Sequence, residues 1–232
     1  MIGEVIASES KSFKAQVVSS NRVPAFGEWV EVRLEDGSLV LGVVYSVLHE
    51  SIEPGRQVEA LRRTKDELAL EMPHVFELLR TVFSCLIVGY RTSGGVYRQT
   101  IPPNPPALHD FVFVTGQELL KEVKPPYDFF RLILGGGTNG LPTDDLFVTI
   151  FQKMSNAMPL DRDRMVVLVE AGRALSRLLG DDHERLQSIL RRVRHRLRSS
   201  HPSGDHERPA GACAGVQLHD GRLPINGHSG GD

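Results

Sequence analysis

Cysteine is nearly missing from this chain: among its 232 residues only Cys85 and Cys213 carry a thiol. Two thiols so far apart exclude a disulfide framework and a cysteine-rich zinc site. Long apolar runs are missing as well. No stretch approaches the roughly 18 apolar residues of a membrane-spanning helix, so no membrane association is expected. The opening MIGEVIASESKSFK has no basic segment followed by an apolar one. The expectation is therefore a chain without a secretory signal, located in the cytoplasm. Aromatic residues are scarce, at 6%, with a single Trp, and neither sign of charge is in excess, the net being −2. No large segment is basic enough to wrap nucleic acid by charge alone. One local exception stands out: from Arg185 to Arg198 there are six arginines and no carboxylate.

What is present begins with β structure. Gly3 to Ala7 and Phe13 to Val18 read as short strands, and Pro24 and Gly27 punctuate a turn. Trp29, Val30, Glu31, Val32, Arg33 and Leu34 then alternate up to Glu35-Asp36-Gly37-Ser38, and a continuous apolar run follows from Leu39 to Tyr45. Asp-Gly between two such runs is a hairpin turn, because both central positions tolerate positive φ. The alternation sets Val30, Val32 and Leu34 on one face and Trp29, Glu31 and Arg33 on the other. The second arm is apolar on both faces, as in a closed barrel. Residues 65–82 change to helical spacing. Phe83 to Tyr90 is again strand-like, and Phe111 to Val114 is a last short strand that closes the sheet.

Helical patterning takes over after Pro125. Asp128 to Leu134 is a short helix stopped by Gly135-Gly136-Gly137. Thr143 with Asp144 and Asp145 caps a second, reaching Asn156. Asp161 caps a third, which ends at Gly180, and Asp182 opens a fourth with Leu186, Ile189, Leu190, Val193 and Leu197 along one stripe. Short connections imply antiparallel packing. Residues 199–232 hold seven Gly, three Pro, four Ser and no aromatic; such a segment cannot bury enough to offset its ordering entropy and reads as a disordered tail. The fold class is α+β: a small N-terminal β-barrel with a helical insertion over residues 1–124, an α-helical bundle over 125–198, and the tail.

Side chains that carry chemistry elsewhere have structural readings here. Glu28, Glu31, Glu35 and Asp36 alternate as a solvated face would. His109 and Asp110 are neighbours on an extended chain and point to opposite faces, which does not suit a catalytic dyad. His201, His206, His219, His228 and Cys213 have spacings that fit no compact metal site. Cys85 lies in an apolar strand and reads as an inert core thiol. No nucleophile, base and oxyanion donor are legible together, so no enzyme, cofactor or metal is expected. Arg191, Arg192, Arg194, Arg196 and Arg198 spread around a helix and could track phosphates or an acidic partner; equally, they could be a solvated helix end that complements the helix dipole.

The stretches IGEVIASESKSFKAQVV and PAFGEWVEVRLEDGSLVLGVV resemble the HAS barrel, the N-terminal domain of HerA-type DNA translocases and of the catalytic-ring subunits of ATP synthase. Ile2, Gly3, Val5, Phe13, Gly27, Val30, Leu41, Gly42 and Val44 carry the pattern, and VGYRTSGGVYRQTIPPNPPALHDFVFV resembles the end of such a barrel. The signature PHVFELLRTVF, LIVGY and IPPNPPALHDFVF is also similar to uncharacterised bacterial proteins of cyanobacterial type. The departure is the motor. A P-loop needs Gly followed by Lys to meet the phosphates, and no Gly in this chain precedes a Lys. Met165 to Glu170 only superficially resembles a Walker B strand. What the resemblance implies is oligomerisation and partner docking without ATP hydrolysis. The expected function is a non-catalytic assembly module serving a DNA-processing complex, with a protein partner or further copies of the chain held by Trp29, Arg33, Asp36 and Gly37. Nucleic-acid binding through the arginine helix is the alternative, and an enzyme of unknown class is a second.

Overall fold

A computed structural model describes residues 1–18, 22–53, 58–135 and 141–199. The tail from residue 200 onward, with its histidines, and the last two glycines of the Gly135 triplet lie outside the described residues, while Ser199, expected in the tail, still belongs to a helix.

Six antiparallel strands form a closed barrel. In chain order they are β1 (Gly3–Ser8), β2 (Ser12–Val17), β3 (Trp29–Arg33), β4 (Leu39–Ser51), β5 (Leu79–Arg91) and, after a two-residue β6 (Tyr97–Arg98), β7 (Phe111–Val114). The sheet runs β2-β1-β7-β3-β4-β5, and pairing of β5 with β2 shuts it, while β6 adds only to β5. Closure pairs both edges of the strands within the barrel, while β4 beyond Ser46 and β5 before Val82 run on as a two-stranded ribbon. Register shifts between Val5 and Ala7, Leu41 and Gly42, and Val44 and Ser46 supply the bends that a barrel this small requires.

The interior is filled by Val5, Phe13, Val30, Val32, Val44, Phe83 and Ile87, all buried. Two glycines make room for the rings. A Cβ on Gly42 would stand 3.0 Å from Phe13 Cε1, and one on Gly3 would stand 2.7 Å from Phe83 Cε1. The Ile-Gly-x-Val and Leu-Gly-x-Val patterns of the sequence are therefore packing requirements of Phe83 and Phe13.

Between β4 and β5 lies the insertion, with α1 (Lys65–Glu71) and α2 (His74–Glu77). Thr64 and Glu67 form a reciprocal capping box at the start of α1. Neither helix buries a residue fully. The helical spacing of residues 65–82 holds only to Leu78. Leu79 to Val82 are strand, because β5 continues its pairing with β4 out to Leu79 opposite Ser51.

After β7 the described chain is helical: α3 (Gln117–Lys121), α4 (Phe129–Leu134), α5 (Thr143–Ala157), α6 (Asp161–Leu179) and α7 (His183–Ser199). The N-cap of α5 is Pro142, without a side-chain cap bond, so Thr143 is its first helical residue rather than its cap. Likewise Asp161 begins α6, and Leu160 is its cap. Asp182 does cap α7, its Oδ1 accepting from the Arg185 amide at 3.1 Å.

A second core lies outside the barrel. The outward residues Trp29, Leu41, Val43, Leu86 and Val88 pack with Phe129 and Phe130 of α4 and Phe147 and Phe151 of α5, and these meet Leu175 of α6 and Ile189 of α7. Each such burial contributes about 1.5–3 kcal/mol. The apolar double face of β4 follows: one side lines the barrel and the other carries the helices.

Candidate partner-docking site

The sequence picks out the β3–β4 hairpin, and the structure places its four residues differently. Trp29, expected outside, is 1% exposed. It does point away from the barrel interior, as the alternation requires, but the helical layer covers that side and Phe129 meets its ring edge-on. Trp29 cannot be an exposed anchor. Glu31, expected on a solvated face, is buried too, and its carboxylate sits 3.3 Å from the Arg33 guanidinium. Glu28 is mostly covered and pairs with Lys153 of α5 at 2.9 Å.

Arg33 and the turn lie at the surface. The Arg33 side chain is 73% exposed, and its guanidinium carbon stands 5.7 Å from the centroid of Phe113 on β7. This is cation–π contact, brought about because β3 and β7 pair with Glu31 opposite Phe113. Asp36 holds the turn: its Oδ1 accepts from the Ser38 hydroxyl at 2.5 Å and from the Ser38 amide at 2.8 Å. Those bonds draw its carboxyl below the usual range. Gly37 has φ +79°, a left-handed value that a side chain would strain.

Beside the turn a cleft of about 440 Å³ runs between the barrel rim and α3. Its walls include Glu31, Arg33, Arg91, Phe113, Glu118 and Glu122. Arg91 reaches Glu122 at 3.5 Å. Sequence reasoning missed Phe113, Arg91 and Glu122. The alternation in Phe111-Val-Phe-Val114 puts both phenylalanines on one face opposite buried Val112, and that signal points outward.

The arginine helix divides into different tasks. Arg185 holds Asp144 of α5 with Nε at 2.8 Å and donates from Nη2 to the Thr143 hydroxyl at 2.8 Å. Arg192 pairs with Asp145. Two of the six arginines thus lash α7 to the acidic first turn of α5. Arg191, Arg194 and Arg196 are exposed, and the side chain of Arg198 lies outside the described residues.

Other candidates have structural roles. His109 Nδ1 lies 2.5 Å from Glu4, and Asp110 Oδ2 accepts from the Ala107 amide; the two do not sit on an extended chain as expected but at a turn, with His109 at φ +73°. Cys85 is fully buried and desolvation pushes its thiol well up. Among the described residues no group of His, Cys, Asp and Glu could hold a metal ion, and no helix is long and apolar enough to cross a membrane.

Comparison with known families agrees with the barrel. Residues 2–98 match the family model of the HAS barrel domain, a stretch that contains the first five strands of the barrel and β6. The closing strand β7 lies beyond the matched residues. No curated protein matches the chain in sequence.

Proposed function

We propose, from a HAS barrel over residues 2–98, that this chain is a non-catalytic assembly module that docks a protein partner, or further copies of itself, at the barrel rim. The observation that carries the reading is Arg33 laid over Phe113 at the mouth of the rim cleft. An exposed arginine held over an aromatic ring is the kind of residue on which interface energy concentrates, because its fork is already ordered before a partner arrives. The neighbouring carboxylates Glu118 and Glu122 and the cation Arg91 give the rim both signs of charge, which favours register over raw affinity. Asp36 and Gly37 serve the site by holding the turn in shape, and Trp29 by fixing β3 against the helices. The setting we assign is a DNA-processing complex, the one in which HerA-type barrels stand.

The test is co-purification from the chain's own cells, with Arg33→Ala/Phe113→Ala beside the natural sequence and light scattering on both. The expected outcome is a partner, or a self-assembly, retained by the natural chain and lost in the folded double variant. The same retained proteins and the same mass in both would overturn the reading.

A further inference from the structure

On a different side of the molecule, α6 and α7 enclose a groove of about 730 Å³. Its floor is Phe151, Leu168 and Val193, and Gly172 and Ser176 keep one wall low. The lips hold apolar side chains in water: Met165 is 61% exposed, Val169 43% and Leu190 38%. Exposed apolar groups that line one concave strip, rather than scattering singly, mark an interaction surface.

The charge at this strip has one sign. Arg173 and Arg194 line it, and among the described residues no carboxylate does. Glu170 reaches Arg173 from the flank at 3.7 Å, a loose pair with the guanidinium still largely exposed. Arg191 lies three residues before Arg194, on the neighbouring part of the same helix surface, and is exposed. Of the exposed arginines on α7, Arg194 therefore lines the apolar floor and Arg191 flanks it, whereas Arg185 and Arg192 turn the other way, to α5.

We propose that this groove docks an amphipathic helix whose apolar stripe is bordered by carboxylates. From Met165 to Ser176 the α6 wall of the groove runs about 17 Å at 1.5 Å per residue, long enough to seat about three turns of such a helix. Its apolar stripe covers Met165, Val169 and Leu190, and its carboxylates meet Arg173 and Arg194 at the lips. A nucleic-acid strand suits the groove poorly, since phosphates would satisfy the arginines and leave the apolar lips in water. The inference is separate from the rim: it uses other elements and stands whether or not Arg33 binds anything.

The experiment uses the full chain and two fluorescein-labelled helical peptides. Both carry leucine at alternating third and fourth positions; one has glutamate beside the stripe and the other lysine. Anisotropy should show saturable binding of the glutamate peptide, weakened by salt, with the lysine peptide at least about tenfold weaker. Arg173→Glu/Arg194→Glu should reverse the preference. Val169→Asp should remove binding of both, and Arg33→Ala should change neither. Circular dichroism of each variant checks that it folds; Arg173 and Arg194 are exposed, so the charge reversal is expected to. Equal affinity for the two peptides, binding of neither, or a preference that survives the reversal would overturn the proposal. So would a dimer of the chain alone that Val169→Asp dissociates, since the groove would then belong to a second copy.

Discussion

The indole of Trp29 meets the ring of Phe129 edge-on, with centroids 5.7 Å apart and planes at 76°. This contact joins strand β3 to helix α4 and opens a chain of rings that continues through Phe130 to Phe147 and Phe151. Trp29→Ala and Phe129→Ala should each cost about 3–5 kcal/mol in urea unfolding followed by circular dichroism. The pair should show a coupling of about 0.5–1.5 kcal/mol in a double-mutant cycle. Additive losses would mean that the two rings stabilise the fold separately.

Two residues earlier, Gly27 sits against α5. Its φ is +76°, and a Cβ there would fall 2.2 Å from the Thr149 hydroxyl oxygen. Gly27→Ala combines backbone strain with overlap and should destabilise by about 1–3 kcal/mol or more, read as a lower thermal midpoint. Gly95 provides the control. It also has positive φ, but no atom lies within 4 Å of its Cβ position, so Gly95→Ala should cost less.

These neighbours show how much of the structure the sequence disclosed. The hairpin was legible because Asp36-Gly37 announces its own backbone, and the barrel because alternation repeats from strand to strand. The burial of Trp29 and Glu31 was not. Alternation tells which residues share a face but not what covers it, and here the outer face is roofed by helices more than 90 residues later in sequence. The same limit hid the cleft: Arg33 and Phe113 meet only through the β3–β7 pairing, a long-range register that neither segment encodes alone. On α7 the stripe of Ile189 and Val193 was readable, but which arginines turn toward α5 depends on Asp144 and Asp145, some 40 residues away.

The two lashings of α7 to α5 are partly exposed, so their worth is modest. Arg185→Ala should cost about 1 kcal/mol, and less in high salt, because a charged pair and a bond to Thr143 are lost together. Arg191→Ala should change stability by no more than about 0.5 kcal/mol. Chemical denaturation in low and high salt separates the two.

Alkaline stability should fall through the tyrosines. Burial, reinforced by Glu170, pushes the Tyr127 hydroxyl up to about 12, and burial raises Tyr97 as well. A raised pKa means that the folded state keeps the proton when the unfolded chain, near pH 10, releases it. Below pH 10 both states are protonated and stability is unaffected; between pH 10 and 12 ionisation favours the unfolded chain. Tyr127→Phe should flatten the decline over that window in urea titrations. A variant with the same slope as the natural chain would show that Tyr127 does not set it.

The rim is tested most directly by photo-crosslinking in the native cell, with p-benzoylphenylalanine at position 33 and, as a control, at position 14, where Lys14 is exposed on β2. A discrete protein adduct from position 33, either a partner or a second copy, and none from position 14 is the expected result. No adduct from position 33, or the same adducts from both positions, would contradict docking at the barrel rim.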